Sequence, residues 1–287
     1  MLAVLFGVLA GVCFGALAVT VRLGLRTGVE PELGAATASA IAFLITVMLA
    51  LASWSNVRAG QLWPFLLIGM LVPGASQILF VTSVRDAGAS RAAILIGTAP
   101  LMSVLIALTA LGEPFHAAIV VGTFLVVAGG AALTRERIRP HDFKPLGAAL
   151  ALACAALFAV RDNLVRLSAR DHHPPPLAAA AASLLGAALL LTLYVIVFSR
   201  RGLGARARVA LRAFAPSGVA LAGGYAFLLE AFSHGRVSVV APLNATQSLW
   251  AVAFASLALG KTEAIGSRLL IAGALVVGGG ALIGVVR

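Results

Sequence analysis

The second half of this chain repeats the first. Residues 14–39 align without a gap on residues 158–183, so that Phe14, Val21, Arg22, Leu23, Arg26, Pro31, Leu33 and Ser39 meet Phe158, Val165, Arg166, Leu167, Arg170, Pro175, Leu177 and Ser183. The echo continues more loosely: Thr98 and the run to Leu111-Gly112 parallel Thr246 and the run to Leu259-Gly260. Glu113 and Val126 to Ala131 then parallel Glu263 and Val276 to Ala281. A duplicated chain folds as two like units packed on each other, here expected over residues 1–144 and 145–287.

The setting of those units follows from composition. With 61% hydrophobic and 11% charged residues, the chain has too little polar surface for water and reads as an all-α membrane protein. A helical span takes about 20 apolar residues. Ten stretches qualify, at 2–21, 33–53, 62–84, 90–111, 115–134, 146–168, 177–199, 213–235, 238–259 and 266–286, five to each half. An odd number of spans per copy forces the second copy to enter the membrane from the opposite side. The expectation is two inverted five-helix repeats around a central cavity, an arrangement typical of secondary transporters.

Several motifs strengthen that reading. Ala87-Gly88-Ala89-Ser90-Arg91-Ala92-Ala93, Pro100 within the fourth span, and Leu111-Gly112-Glu113 ahead of a glycine-rich fifth span together resemble the EamA-type module of the drug/metabolite transporter superfamily. The resemblance covers the whole chain, as two modules. It implies ten transmembrane helices, a cavity between the halves, and export or exchange of small metabolites, amino acids and aromatic ones among them. The second half departs from the pattern by carrying Ser248 where the fourth span has Pro100, with Pro242 earlier, so the ninth span is expected to bend elsewhere than the fourth.

Charge and polarity inside spans are costly and therefore point to function. Arg161 and Asp162 fall about 6 and 7.5 Å past the middle of the sixth span, and Glu230 about 9 Å past that of the eighth. These two spans run in the same direction, which makes an Arg161–Glu230 ion pair feasible. A structural alternative pairs Asp162 with Arg166 one helical turn away. On the functional reading, Arg161 offers a carboxylate its bidentate fork and the acids receive an ammonium; proton coupling through Asp162 or Glu230 is a further use. Gln77, Thr98, Asn244 and Gln247 add uncharged hydrogen-bonding groups near the midplane. Phe80, Phe158, Tyr225 and Trp250, with Phe14 and Phe227, are candidate apolar walls. Pro100 is a candidate hinge, since proline removes a backbone donor; Pro242 is a second, or a helix starter.

Other features narrow the class. Lys and Arg gather in loops after odd-numbered spans, among them Arg22, Arg26, Arg85, Arg91, Arg135 and Arg206, which places both termini outside. Basic loops beside anionic lipid account for the net charge of +11 without a nucleic-acid partner. The first span lacks a basic leader and is expected to be retained. The strip Gly7, Gly11, Gly15, echoed by Ala151, Ala155, Ala159, suits close helix contact. Cys13 and Cys154 show no metal spacing, no two histidines form a helical ligand pair, and no Walker-type loop is present. No enzyme chemistry, metal or cofactor is therefore expected.

The sequence thus describes a secondary transporter of the bacterial plasma membrane, exporting amino acids or similar small metabolites by alternating access at a midplane site. Its partners are a small-molecule substrate and membrane lipid, acting as a monomer or a dimer. The alternatives are a multidrug or lipid-type exporter, whose cavity would open laterally to lipid, and behind it a membrane enzyme or scaffold.

Overall fold

The computed structural model describes residues 2–51, 57–99, 101–103, 106, 117, 118, 121, 122, 124, 125, 128, 129, 144–172, 174–198, 203–234, 240, 243–259 and 267–285, and these are helical apart from short turns. The elements are α1 (Leu2–Leu25), α2 (Pro31–Leu51), α3 (Ala59–Gly69), a π-helical segment (Met70–Ala75), α4 (Ser76–Ala87), α5 (Ala89–Ile96), α6 (Pro145–His172), α7 (Pro176–Phe198), α8 (Leu203–His234), α9 (Gln247–Ala258) and α10 (Ser267–Val285).

Among the described residues, six helices are long and apolar enough to cross a membrane: Leu2–Leu25, Pro31–Ala50, Gly60–Ala87, Pro145–Val165, Pro176–Phe198 and Arg206–His234. They correspond to expected spans one, two, three, six, seven and eight. Spans four and nine are interrupted, so neither registers as one long helix. Span ten holds the apolar stretch Leu269–Gly279, and span five lies mostly outside the described residues. Large apolar side chains such as Leu44, Met48, Leu193, Phe198 and Leu257 are exposed on the outer face, where hydrocarbon rather than water is their natural solvent.

Two boundaries differ from expectation. α8 starts at Leu203, ten residues before the apolar stretch, so Arg206, Arg208 and Arg212 are on a helix and not in a loop. Arg91 is also helical, within α5, and only 2% exposed. It is a core residue, not a headgroup-facing one.

The halves are interleaved. α1 packs on α8, as α6 packs on α4; α1 packs on α9, as α6 packs on α5; α2 packs on α7, and α5 on α9. Each of these contacts is either its own counterpart under exchange of the copies or has one. Helix directions follow from which residues meet. Arg22 near the end of α1 donates to the carbonyls of Val84 and Arg85 near the end of α4, so these two helices run in the same sense. Cys154 donates to the Ser76 carbonyl at 3.6 Å, while Gly147 lies against Asp86 and Ala87, so α6 runs opposite to α4. Gly7 faces Leu243, and Gly15 faces Trp250 and Ala251: the small-residue strip is used inside the monomer, against α9 and the helical turn before it.

Candidate functional site

The site begins with breaks in three helices. Val72 has φ −140° and ψ 112°, which interrupts helical geometry ahead of Pro73. α5 ends at a turn through Gly97 and Thr98, and the chain into α9 turns at Thr246. The second and third breaks are built alike: the Thr98 hydroxyl donates to the Leu95 carbonyl at 2.7 Å, and the Thr246 hydroxyl to the Leu243 carbonyl at 2.6 Å. Side-chain donation to a carbonyl three residues back competes with the helical ladder. Thr98 and Thr246 are repeat-equivalent, so among the described residues the fourth and ninth spans turn at matching places. Ser248, in the proline's place, donates instead to the Ala93 carbonyl of α5 at 2.8 Å and holds the two broken helices together. Pro100 and Pro242 lie outside the described residues.

Two adjoining chambers lie at these breaks. One is lined by Ile96, Gly97, Ala99, Phe158, Arg161, Asp162, Asn244, Ala245 and Gln247, the other by Phe14, Leu17, Pro73, Gln77, Phe80, Phe158, Arg161, Leu221, Tyr225 and Gln247. Their linings contain repeat-equivalent pairs: Ile96 with Asn244, Gly97 with Ala245, Ala99 with Gln247, Phe14 with Phe158, and Leu17 with Arg161. The site therefore sits where the two halves meet. The cavity volumes are about 10 Å³ and 20 Å³, water-sized rather than metabolite-sized.

Arg161 dominates both chambers. It is 3% exposed; its Nη2 lies 2.8 Å and its Nε 3.0 Å from Asp162 Oδ1, and its Nη1 donates to the Tyr225 hydroxyl at 3.3 Å. The guanidinium carbon stands 4.9 Å from the Phe158 ring centroid and 5.8 Å from that of Tyr225, within cation–π range. Two buried amides complete the lining: Gln77 Nε2 and Asn244 Oδ1 have no hydrogen-bond partner. Gln77 serves the apolar chamber and Asn244 the charged one.

Several expected pairings are not made. Glu230 does not reach Arg161; five residues beyond Tyr225, it is about 7.5 Å further along α8, where its carboxylate lies 3.7 Å from His234 Nδ1. Asp162 pairs with Arg161; the Arg166 side chain, its alternative partner, lies outside the described residues. Trp250 is turned toward α1, against Gly15, and stacks on Phe254 at 6.0 Å. Thr98 shapes the helix break without lining either chamber. Gln77, Phe80, Phe158, Arg161, Asp162, Tyr225, Asn244 and Gln247 are brought together.

Sequence reasoning missed Pro73, Ile96, Gly97, Ala99, Leu17 and Leu221. The Pro73-Gly74 pair inside an apolar span was a readable breaker signal. Ile96 was readable too, since Pro100 has no N–H to offer the carbonyl four residues earlier.

Asp86 has a role that sequence reasoning did not assign. It is 3% exposed, paired with Arg85 at 2.7 Å and with Lys144 at 3.6 Å, and its carbonyl accepts the Lys144 N–H at 2.7 Å. The end of α4 is thereby tied to the start of α6. Glu30, after α1, pairs with Arg206 of α8 on the same side of the molecule.

The comparisons agree with this architecture. A solved crystal structure shares 25% sequence identity, covers 98% of this chain and 95% of its own, and superposes with a TM-score of 0.65. No curated protein matches significantly. The model of the EamA-like transporter family matches twice, over residues 1–135 and 145–285. Two such repeats, long apolar helices and a buried polar site between the halves all belong to one description: the chain is a multi-pass membrane protein of the EamA-like transporter family, within the drug/metabolite transporter superfamily.

Proposed function

We propose that the chain is a secondary carrier exporting small zwitterions, amino acids above all, across the bacterial plasma membrane by alternating access. The observation that carries this reading is the Arg161–Asp162 pair, buried where the halves meet and beside two unsatisfied amides. A zwitterion matches it group for group: its carboxylate replaces Asp162 on the Arg161 fork, and its ammonium is received by Asp162 and Asn244 Oδ1. Charge stays balanced throughout, so little is lost when the internal pair opens. A net-charged ligand would leave one buried charge unanswered, a cost of about 3–5 kcal/mol.

Alternating access is supported by helix direction. α1 runs with α4 and against α6, the helix that begins the second copy, which favours inverted repeats divided at residues 144 and 145. It is supported further by the water-sized chambers, which admit a metabolite only when the halves separate. Discontinuous helices at a repeat interface are the usual place for a carrier's site, and here both α5 and the approach to α9 are broken.

The test is counterflow of radiolabelled neutral amino acids in proteoliposomes, with and without a proton gradient. Zwitterions are expected to exchange, and Arg161→Ala to reduce exchange at least about a hundredfold, the loss of a charge-assisted bidentate contact. Undiminished flux in that variant sinks the reading.

A further inference from the structure

We infer that Gln77 reads a hydroxyl group on the side chain of the carried zwitterion; this inference rests on the zwitterion reading above. The two chambers differ in chemistry. The one holding Asp162 and Asn244 answers charge, while the one holding Gln77 is walled by Phe14, Phe80, Phe158, Leu17 and Leu221. Arg161 faces both, so a zwitterion with its head group on Arg161 projects its side chain into the apolar chamber.

There Gln77 is the anomaly. Its side chain belongs to a residue 3% exposed, and its Nε2 has no partner. The Tyr225 oxygen already accepts from Arg161. A buried amide left unpaired costs stability, and one kept in a native interior calls for an explanation. Symmetry does not supply it: the repeat-equivalent region is Gly224-Tyr225, and the Phe14 ring packs against Gly224. The second copy does without an amide at this place.

A ligand group completes Gln77. An amide presents both N–H donors and a carbonyl acceptor, and a hydroxyl both donates and accepts, so it satisfies either end. A charged side-chain tip would meet apolar walls, with Arg161 already committed to the head group. A hydrocarbon tip would leave the amide unpaired, and sites built around a buried polar group reject analogues that lack its partner.

The full chain in proteoliposomes tests this with two pairs that differ by one oxygen: tyrosine against phenylalanine, and threonine against valine. In the pair whose size the site accepts, the hydroxyl member should be carried with at least about tenfold higher kcat/KM. Gln77→Leu should erase or reverse that preference, and the detergent-solubilised variant should melt no lower than the native chain. Equal transport of both members by the native chain overturns the role of Gln77 and leaves the zwitterion reading standing. Failure to carry any of the four overturns both. A lowered melting temperature with selectivity unchanged makes Gln77 structural and also overturns the inference.

Discussion

A guanidinium within the hydrocarbon layer persists only when its charge and its N–H groups are answered, and Arg161 is answered three ways, by Asp162, the Tyr225 hydroxyl and the Phe158 ring. The first copy has Leu17 and Ala18 at the same positions, so the fold itself does not require the pair. That comparison yields a prediction. Asp162→Ala alone leaves Arg161 buried without its counter-charge and should cost about 3–5 kcal/mol of unfolding free energy in mixed micelles. Arg161→Leu combined with Asp162→Ala, which copies the first half, should recover most of that stability and carry no zwitterion. A double variant that still transports would separate the pair from substrate binding. Arg161 and Asp162 were legible in the sequence because ionisable groups inside spans are rare and costly. Glu230 was misread by the same rule: depth along a helix says which level a group occupies, not whether its nearest partner is four residues away on its own helix, as His234 is.

At the scale of elements, the helices pack closely where glycine permits and break where side chains satisfy the backbone. A Cβ on Gly15 would stand 2.6 Å from Trp250 Cβ and 2.8 Å from the Ala251 nitrogen, and backbone cannot yield as a flexible side chain does. Gly15→Val should therefore destabilise the protein by at least about 1–3 kcal/mol, measured by thermal unfolding in detergent. Gly278→Ala, with nothing within 4 Å of the added Cβ, should be neutral or slightly stabilising; equal losses in the two variants would contradict this packing. The Gly7, Gly11, Gly15 strip was legible as a contact surface from its spacing, although its partner was not, because no sequence rule names the approach to α9. The breaks at Thr98 and Thr246 were hidden for another reason. A threonine bonding back to a carbonyl is common in unbroken helices, and only the identical geometry in both copies marks it as a device.

At the scale of the molecule, the main contacts between halves among the described helices are reciprocal, and the site is shared where they meet. On the side to which α1 and α4 point, Glu30 with Arg206 joins the two copies by an ion pair, and Asp86 with Lys144 holds the end of α4 to the residue that precedes the second copy. On the opposite side the contact is aromatic, with Phe6 at 6.1 Å from Phe227 and 5.7 Å from His234. Duplication was legible because repeats survive in aligned residues. The two different closures were not, since they arise from side chains such as Phe6, whose repeat-equivalent Leu150 carries no ring. Alternation between the two closures is the central claim, and thiol accessibility tests it most directly. With Cys13 and Cys154 replaced, a single cysteine at Ala99, a buried wall of the charged chamber, is challenged by a membrane-impermeant maleimide from one side of the vesicle or the other. Labelling from both sides, slowed from both by a carried zwitterion, is the predicted result; labelling from one side only, unaffected by any zwitterion, would contradict the account.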